Sequence, residues 1–538
     1  MSKPSDRTDE APRLTRWVPD LLYAGGRFRR GRALLCDARG LVRAVERDDG
    51  SGRFVADVEA QSSVASINQR DDARDLLSSA VRTVRLPGRA LLPGMVNAHS
   101  HAFQRVIRGR TEFRTAALDS FWTWREMMYS AAVRLTPEDI YDASRMAFLE
   151  MLLGGITSVG EFHYLHRTPD GSLYDDPNLL AKQVVRAARD TGLRIALLRV
   201  AYARSGHDQP PNPRQSRFIE PEPETYLRHL EQLHDDLEAH GRANDADESG
   251  TLRGAWVGVA PHSVRAVPLG YLRDVCAFAG ARRLPVHMHV AEQTAEVEAC
   301  LAEHGRAPVE LLAHEGLLHE RFTAVHAVHV NADEARALGA SGSTVCACPT
   351  TERNLGDGVV PADLLLSSGV HVALGSDSHT QIDLLEDARE LEYHLRLQRQ
   401  ARNVLAPATE GERKLSALAA RLFACTTSDG ARSIGLLEFD GPADVNSRTP
   451  AASVASDARE MFAPGRPADF FTVDLNDPSI AGASEEDLLP ALVFSLARTA
   501  VRETVVGNRL VLEDGRHASS GEIITRFNAL QRKLWGKE

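Results

Sequence analysis

Eight short apolar, β-branched runs punctuate the chain, and several of them contain or are closely followed by histidine or aspartate. They cover residues 90–97, 156–162, 194–202, 255–260, 285–291, 322–330, 343–348 and 371–375. A run this short and this uniformly apolar suits a parallel strand covered on both faces. Most intervals between the runs carry helical patterns. In the first interval Thr136 suits an N-cap and Pro137 suits the first helical position. Gly154-Gly155 would stop that helix after Leu153. Eight strands alternating with helices predict an α/β fold of the (β/α)8 TIM-barrel type. Such a barrel spans roughly 250–400 residues as one unit. The 538 residues therefore need not divide into three or four domains.

The flanks read differently. Residues 18–25, 33–45, 469–474 and 501–512 look like short strands, with Asn508 in a turn. The two chain ends are expected to pair into a small β-sandwich domain beside the barrel. The domain expectation is 1–90 and 436–538 for the two halves of that β domain and 91–435 for the barrel. Residues 47–79 are rich in Asp, Ser, Gln and Ala, and 441–467 in Pro, Ala, Ser and Asp. Both are expected to be flexible insertions. Residues 205–213 and 241–251 are expected to be loops.

Composition narrows the partners. Lys and Arg total 63 against 74 Asp and Glu, a formal charge of −11. That balance gives no cationic field for a nucleic-acid backbone. No apolar run reaches the ~18 residues of a membrane helix, and residues 1–16 lack the apolar core of a secretory signal. A cytoplasmic protein is the expectation. Cys346 and Cys348 form a C-x-C inside an apolar run. Buried core thiols are the favoured reading there, over a metal pair.

The chemistry concentrates at the ends of the runs. His99 and His101 follow the first run, and residues i and i+2 of a strand share a side. His287-Met288-His289 repeats that spacing in another run, with Glu292 just beyond it. His326 and His329 occupy a third, and Asp377 lies in Gly375-Ser376-Asp377-Ser378-His379 after the eighth. Function in this barrel lives at the C-terminal strand ends. Four strands delivering His or Asp to one face point to a metal site. Nitrogen and carboxylate donors without thiolate suit Zn²⁺, and Fe²⁺ or Mn²⁺ also fit. His314 and His319 imitate a protease motif, but their five-residue spacing puts them on different helix faces. That segment is expected to be a helix end.

Pro-Gly-Met-x-Asn-x-His-x-His after a strand, a later His-x-His, a His and Gly-Ser-Asp together resemble the amidohydrolase superfamily. Within it, seven stretches are similar to the formimidoylglutamate deiminase subfamily. They are HSHAFQR (99–105), SFWTWRE (120–126), EFHY (161–164), PHSVRAV (261–267), HMHVAEQ (287–293), NLGDG (354–358) and GSDSH (375–379). The similarity runs over about residues 91–405.

The resemblance implies a concrete site. His99, His101, His289 and Asp377 would hold one zinc, and His287 would be no ligand. No lysine occurs in the eight runs, which accords with a single metal and no carboxylated-lysine bridge. Asp377 would also take a proton, and Glu292 and His326 would move protons onto the leaving nitrogen. Arg125 and Arg265 would bind the carboxylates of a small dicarboxylate amidine, with Gln104, Tyr164 and His262 as further contacts. The implied reaction converts N-formimino-L-glutamate to N-formyl-L-glutamate and ammonia, a step of histidine degradation. The implied assembly is a homodimer. The loop 203–217, with Pro210-Pro211-Asn212-Pro213, would border the pocket and differs from the Gly-rich loop of the subfamily. The competing readings are a guanine, nucleoside or aminotriazine deaminase of the same superfamily, or a catalytically inactive binding protein of that fold.

Overall fold

A computed structural model of the chain describes residues 14–48, 81–113, 121–244, 254–407, 415–437 and 461–536. The N-terminal end contributes β1 (Leu14–Ala24), β2 (Arg27–Arg29), β3 (Arg32–Asp37), β4 (Val42–Arg47) and β5 (Val81–Pro93). The barrel strands follow. They are β6 (Met95–Ser100), β7 (Ile156–His163), β8 (Arg194–Ala201), β9 (Ala255–Pro261), β10 (Val286–Val290), β11 (Phe322–His326), β12 (Thr344–Ala347) and β13 (His371–Leu374). The C-terminal end adds β14 (Phe470–Asp474), β15 (Val501–Val506), β16 (Arg509–Glu513) and β17 (Arg516–His517).

The eight runs become β6 to β13, and each pairs in parallel with its neighbour in chain order. A parallel bridge between Ser100 and Asp377 joins the last strand to the first. That closure removes the sheet edges and brings the ends of β6 and β13 together. The helix Pro137–Leu153 begins at Thr136 with a full capping box to Asp139 and ends at Gly154. Ala98, Val325, Cys346, Cys348 and Ala373 pack together as small buried side chains from four strands and the end of one. The two cysteines are thus core thiols, although Cys348 also comes near His326 and Asp377.

The chain ends form a mixed nine-stranded sheet of order β17-β16-β15-β14-β5-β1-β3-β4, with β2 on β1. The two ends meet where β14 pairs antiparallel with β5, Phe470 opposite Pro93. The run 90–97 serves both sheets, because β5 ends at Pro93 and β6 begins at Met95. Gly94 makes the transfer possible: a Cβ there would sit 2.2 Å from Thr157 Oγ1. The expected run 33–45 turns back on itself as the β3–β4 hairpin. Asn508, with φ 62°, lies between β15 and β16. Of the two expected insertions, residues 49–79 and 441–460 lie outside the described residues. Residues 461–467 reach the small sheet through the Val42 amide, which donates to Arg466 O at 2.8 Å. Residues 241–244 end the helix Pro223–Asn244, while 245–251 lie outside the described residues. No helix among the described residues is long and apolar enough to cross a membrane.

Candidate metal centre and substrate pocket

His289 reaches the barrel mouth from within β10, whereas His326 and Asp377 stand on unusual backbone. Ala291, His326, Ala327 and Asp377 all have positive φ, between 41° and 72°. Side chains other than glycine rarely adopt that region, and such residues gather where a site over-determines them. Here they lie at or shortly past the ends of β10, β11 and β13.

Four donor atoms converge there. His99 Nε2 lies 3.2 Å from both His101 Nε2 and His289 Nε2. Asp377 Oδ1 lies 3.3 Å from His99 Nε2 and 3.2 Å from His101 Nε2. The tautomers follow from the other ring atoms. His101 Nδ1 donates to Phe162 O at 2.8 Å and His289 Nδ1 to His262 O at 3.2 Å. Each Nε2 then presents a lone pair to the same point. Burial holds the His99 imidazole down at about 3 and His289 well below its ordinary value. Three converging imidazole nitrogens, with one carboxylate, fit a divalent cation.

Buried polar groups brace this set. Glu161 accepts from Ser100 Oγ at 2.6 Å and from the Ala102 amide at 2.7 Å. The Asp377 amide donates to His99 O at 3.0 Å and the His101 amide to Asp377 O at 3.1 Å. His287 points elsewhere, its Nε2 meeting Ser433 O at 2.9 Å. His329 lies outside the cluster. His314 ends the helix Pro308–His314, with His319 beyond it.

His326 sits among three carboxylates. Its Nε2 is 3.8 Å from Glu292 Oε1 and 3.8 Å from Asp377 Oδ2. Its Nδ1 is 3.2 Å from Glu352 Oε1. Burial opposes charge on this ring, yet Glu292, Glu352 and Asp377 hold its pKa well above the ordinary value. Burial also raises Glu292, against the pull of His326. Asp377 stays well below the carboxylate range despite burial, because the His101 and His99 rings beside it favour its ionised form.

A pocket opens above these groups, lined by Gln104, Arg125, Tyr164, His262, Arg265, Glu292, His326 and Asp377, among others. All five residues expected to contact substrate line it. Gln104 Nε2 donates to Tyr164 OH at 2.9 Å, while its buried Oε1 has no partner. Arg125 Nε is likewise buried and unpartnered, with the guanidinium 4.4 Å from the Trp122 ring centroid. Unmatched buried donors and acceptors are costly unless a ligand completes them. Sequence reasoning missed Glu352, which orients His326 from the helix Pro349–Leu355, and the pocket-lining Tyr129, Trp124 and Phe218. It also passed over Tyr202, which stands immediately after β8 and was visible by the strand-end rule itself.

The model of the amidohydrolase family matches residues 90–438. The chain is 38% identical over 432 residues to formimidoylglutamate deiminase of Pseudomonas aeruginosa, covering 80% of this chain and 86% of that one. It is 27% identical to 5-methylthioadenosine/S-adenosylhomocysteine deaminase of Natronomonas pharaonis, over 85% of this chain and 89% of that one. A crystal structure of an amidohydrolase from Brucella melitensis superposes with a TM-score of 0.78 at 30% identity, covering 97% and 99% of the two chains. The matched span contains the whole barrel and every donor of the cluster at its mouth, so the chain belongs to the amidohydrolase family, metal-dependent hydrolases that act on C–N bonds.

Proposed function

We propose that this protein hydrolyses N-formimino-L-glutamate to N-formyl-L-glutamate and ammonia, as a step of histidine degradation. The observation that carries the reading is the pairing of Arg125 and Arg265 in one pocket with the four-donor cluster. Two guanidiniums suit the two carboxylates of the substrate, each able to bind bidentately. A purine or triazine offers no carboxylate to either. The identity to the Pseudomonas deiminase points the same way.

His99, His101, His289 and Asp377 would hold one divalent ion, with zinc best suited to the donors. That ion would supply Lewis acidity for the activation of water at neutral pH. Asp377 takes the proton of the attacking water on Oδ2, the oxygen facing His326. His326 links Asp377 to Glu292, so the proton crosses from the attacking side to the departing side. Glu292 delivers it to the formimino nitrogen. Water oxygen bonds to the carbon of the protonated amidine; with the relayed proton on the departing nitrogen the C–N bond breaks and ammonia leaves, while the hydroxyl proton of the intermediate is lost to Asp377 as the formyl C=O forms. Gln104 Oε1 offers an acceptor for an amidine N–H.

Ammonia release from N-formimino-L-glutamate, with metal per chain measured on the same sample, tests the reading. Turnover supports it. A folded, metal-loaded protein that releases no ammonia from this compound, yet does so from an aminopurine or aminotriazine, overturns it.

A further inference from the structure

The loop after β8 carries Gln215, a buried residue that touches no substrate space. Its Nε2 donates to Tyr129 OH at 2.7 Å and to Tyr202 OH at 2.9 Å. Its Oε1 accepts from Ser205 Oγ at 2.7 Å, so the amide orientation is set by its surroundings. A side-chain amide has two N–H donors, and here each goes to one tyrosine. Both tyrosines line the pocket.

Polarity follows from this pinning. Tyr202 oxygen accepts from Gln215 and also interacts with the Arg265 guanidinium, a pure donor. What Tyr202 has left is its own O–H proton. Tyr129 oxygen likewise accepts from Gln215 and keeps its proton to give. Burial, the largest effect on it, raises Tyr129 to about 12, so the hydroxyl stays protonated. Tyr129 also lies one turn beyond Arg125 on the helix Phe121–Ala132, on the same face. The Arg125 guanidinium stands 5.4 Å from the Tyr129 ring centroid. Arg125, Tyr129, Tyr202 and Arg265 thus line one pocket as four hydrogen-bond donors.

We propose that Tyr129 and Tyr202 are specificity-determining residues whose hydroxyls donate to the substrate carboxylates, and that Gln215 is the positioning residue that aims them. The proposal rests on the dicarboxylate reading of the pocket. It gives the Pro-rich loop a role: Asn212 N donates to Ser205 Oγ at 3.0 Å, and Arg217 binds Ala132 O and, at 2.9 Å, Leu135 O beyond the arginine-bearing helix. The loop is a fixed brace for the donors.

The test measures glutarate binding to the metal-loaded full chain by calorimetry, beside KM and kcat for N-formimino-L-glutamate. Tyr129→Phe and Tyr202→Phe are each expected to weaken glutarate about tenfold and to raise KM more than they lower kcat. Gln215→Leu is expected to weaken it comparably in the wild-type background but less than about twofold when both tyrosines are already phenylalanine. The tyrosine variants remove one oxygen each and keep the ring packing, so they decide the matter even where Gln215→Leu does not fold. Unchanged glutarate affinity in both tyrosine variants overturns the receptor. An equal Gln215→Leu loss in both backgrounds overturns its positioning role. Wild-type protein that binds glutarate through the tyrosines but releases no ammonia from N-formimino-L-glutamate keeps the receptor and overturns the substrate.

Discussion

His287 and His289 stand two residues apart on β10 and point to the same side of the strand, yet they meet opposite ends of the barrel. His289 Nε2 is 3.2 Å from His99 Nε2 at the mouth. His287 Nε2 is 2.9 Å from Ser433 O, in the helix Ser428–Ser433. That segment closes the other end: Ile434 O accepts from Trp256 Nε1 at the start of β9, at 2.7 Å. Two strand residues span about 6.6 Å along the axis, enough to separate a metal-facing layer from a packing layer.

This separation predicts different losses. His289→Gln removes a donor from the cluster and is expected to weaken metal binding beyond the ~10–100-fold that loss of a supporting group costs. His287→Gln should retain metal and lose only folding stability. Metal per chain after dialysis, beside the melting temperature, distinguishes the two. Equal metal loss in both variants would contradict the layering.

Glu292 is close to His326 but outside the four-donor cluster. Glu292→Gln should therefore keep the metal while kcat falls about 10²–10⁴-fold. Single-turnover ammonia release on metal-assayed protein checks both halves. Near-normal kcat would remove Glu292 from the proton path.

Arg125→Ala deletes a guanidinium whose Nε has no protein partner. KM for N-formimino-L-glutamate should rise about 10–100-fold. The loss on formamidine, which has no carboxylate, should be much smaller. Parallel losses on both compounds would place Arg125 in catalysis or in folding.

Glu296 gives a pH-dependent stability. Burial, partly offset by Arg265, raises this carboxyl to about 7 in the fold; it returns to its ordinary value of about 4.5 on unfolding. Below about 4.5 it is protonated in both states and costs nothing. As pH rises from there to about 7 the unfolded state releases its proton first, so stability falls, and above 7 the full cost remains. Glu296→Gln should match the parent near pH 4.5 and exceed it above pH 7, by up to about 3 kcal/mol. Denaturant unfolding at both pH values reads the difference. A stability gap that does not widen with pH would mean the carboxyl is not held neutral.

The barrel was legible because each strand is covered on both faces, which writes it into the chain as a short, nearly all-apolar run. The same simplicity marked the ends of those runs, where His99, His101, His289, His326 and Asp377 break the apolar pattern. Arg125 and Gln104 were legible through family resemblance, since they lie outside any strand end. Spacing alone could not rank His287 against His289, because a two-residue repeat fixes the side of a strand and says nothing of depth along the barrel. It could not show that residues 90–97 pass from one sheet to another at Gly94, a change that depends on the space left by Thr157. Gln215 was equally hidden, lying in a loop with no periodicity. Its partners Tyr129 and Tyr202 are 86 and 13 residues away in sequence. Local pattern records burial and which side a residue takes; closing the barrel decides which of those sides face one another.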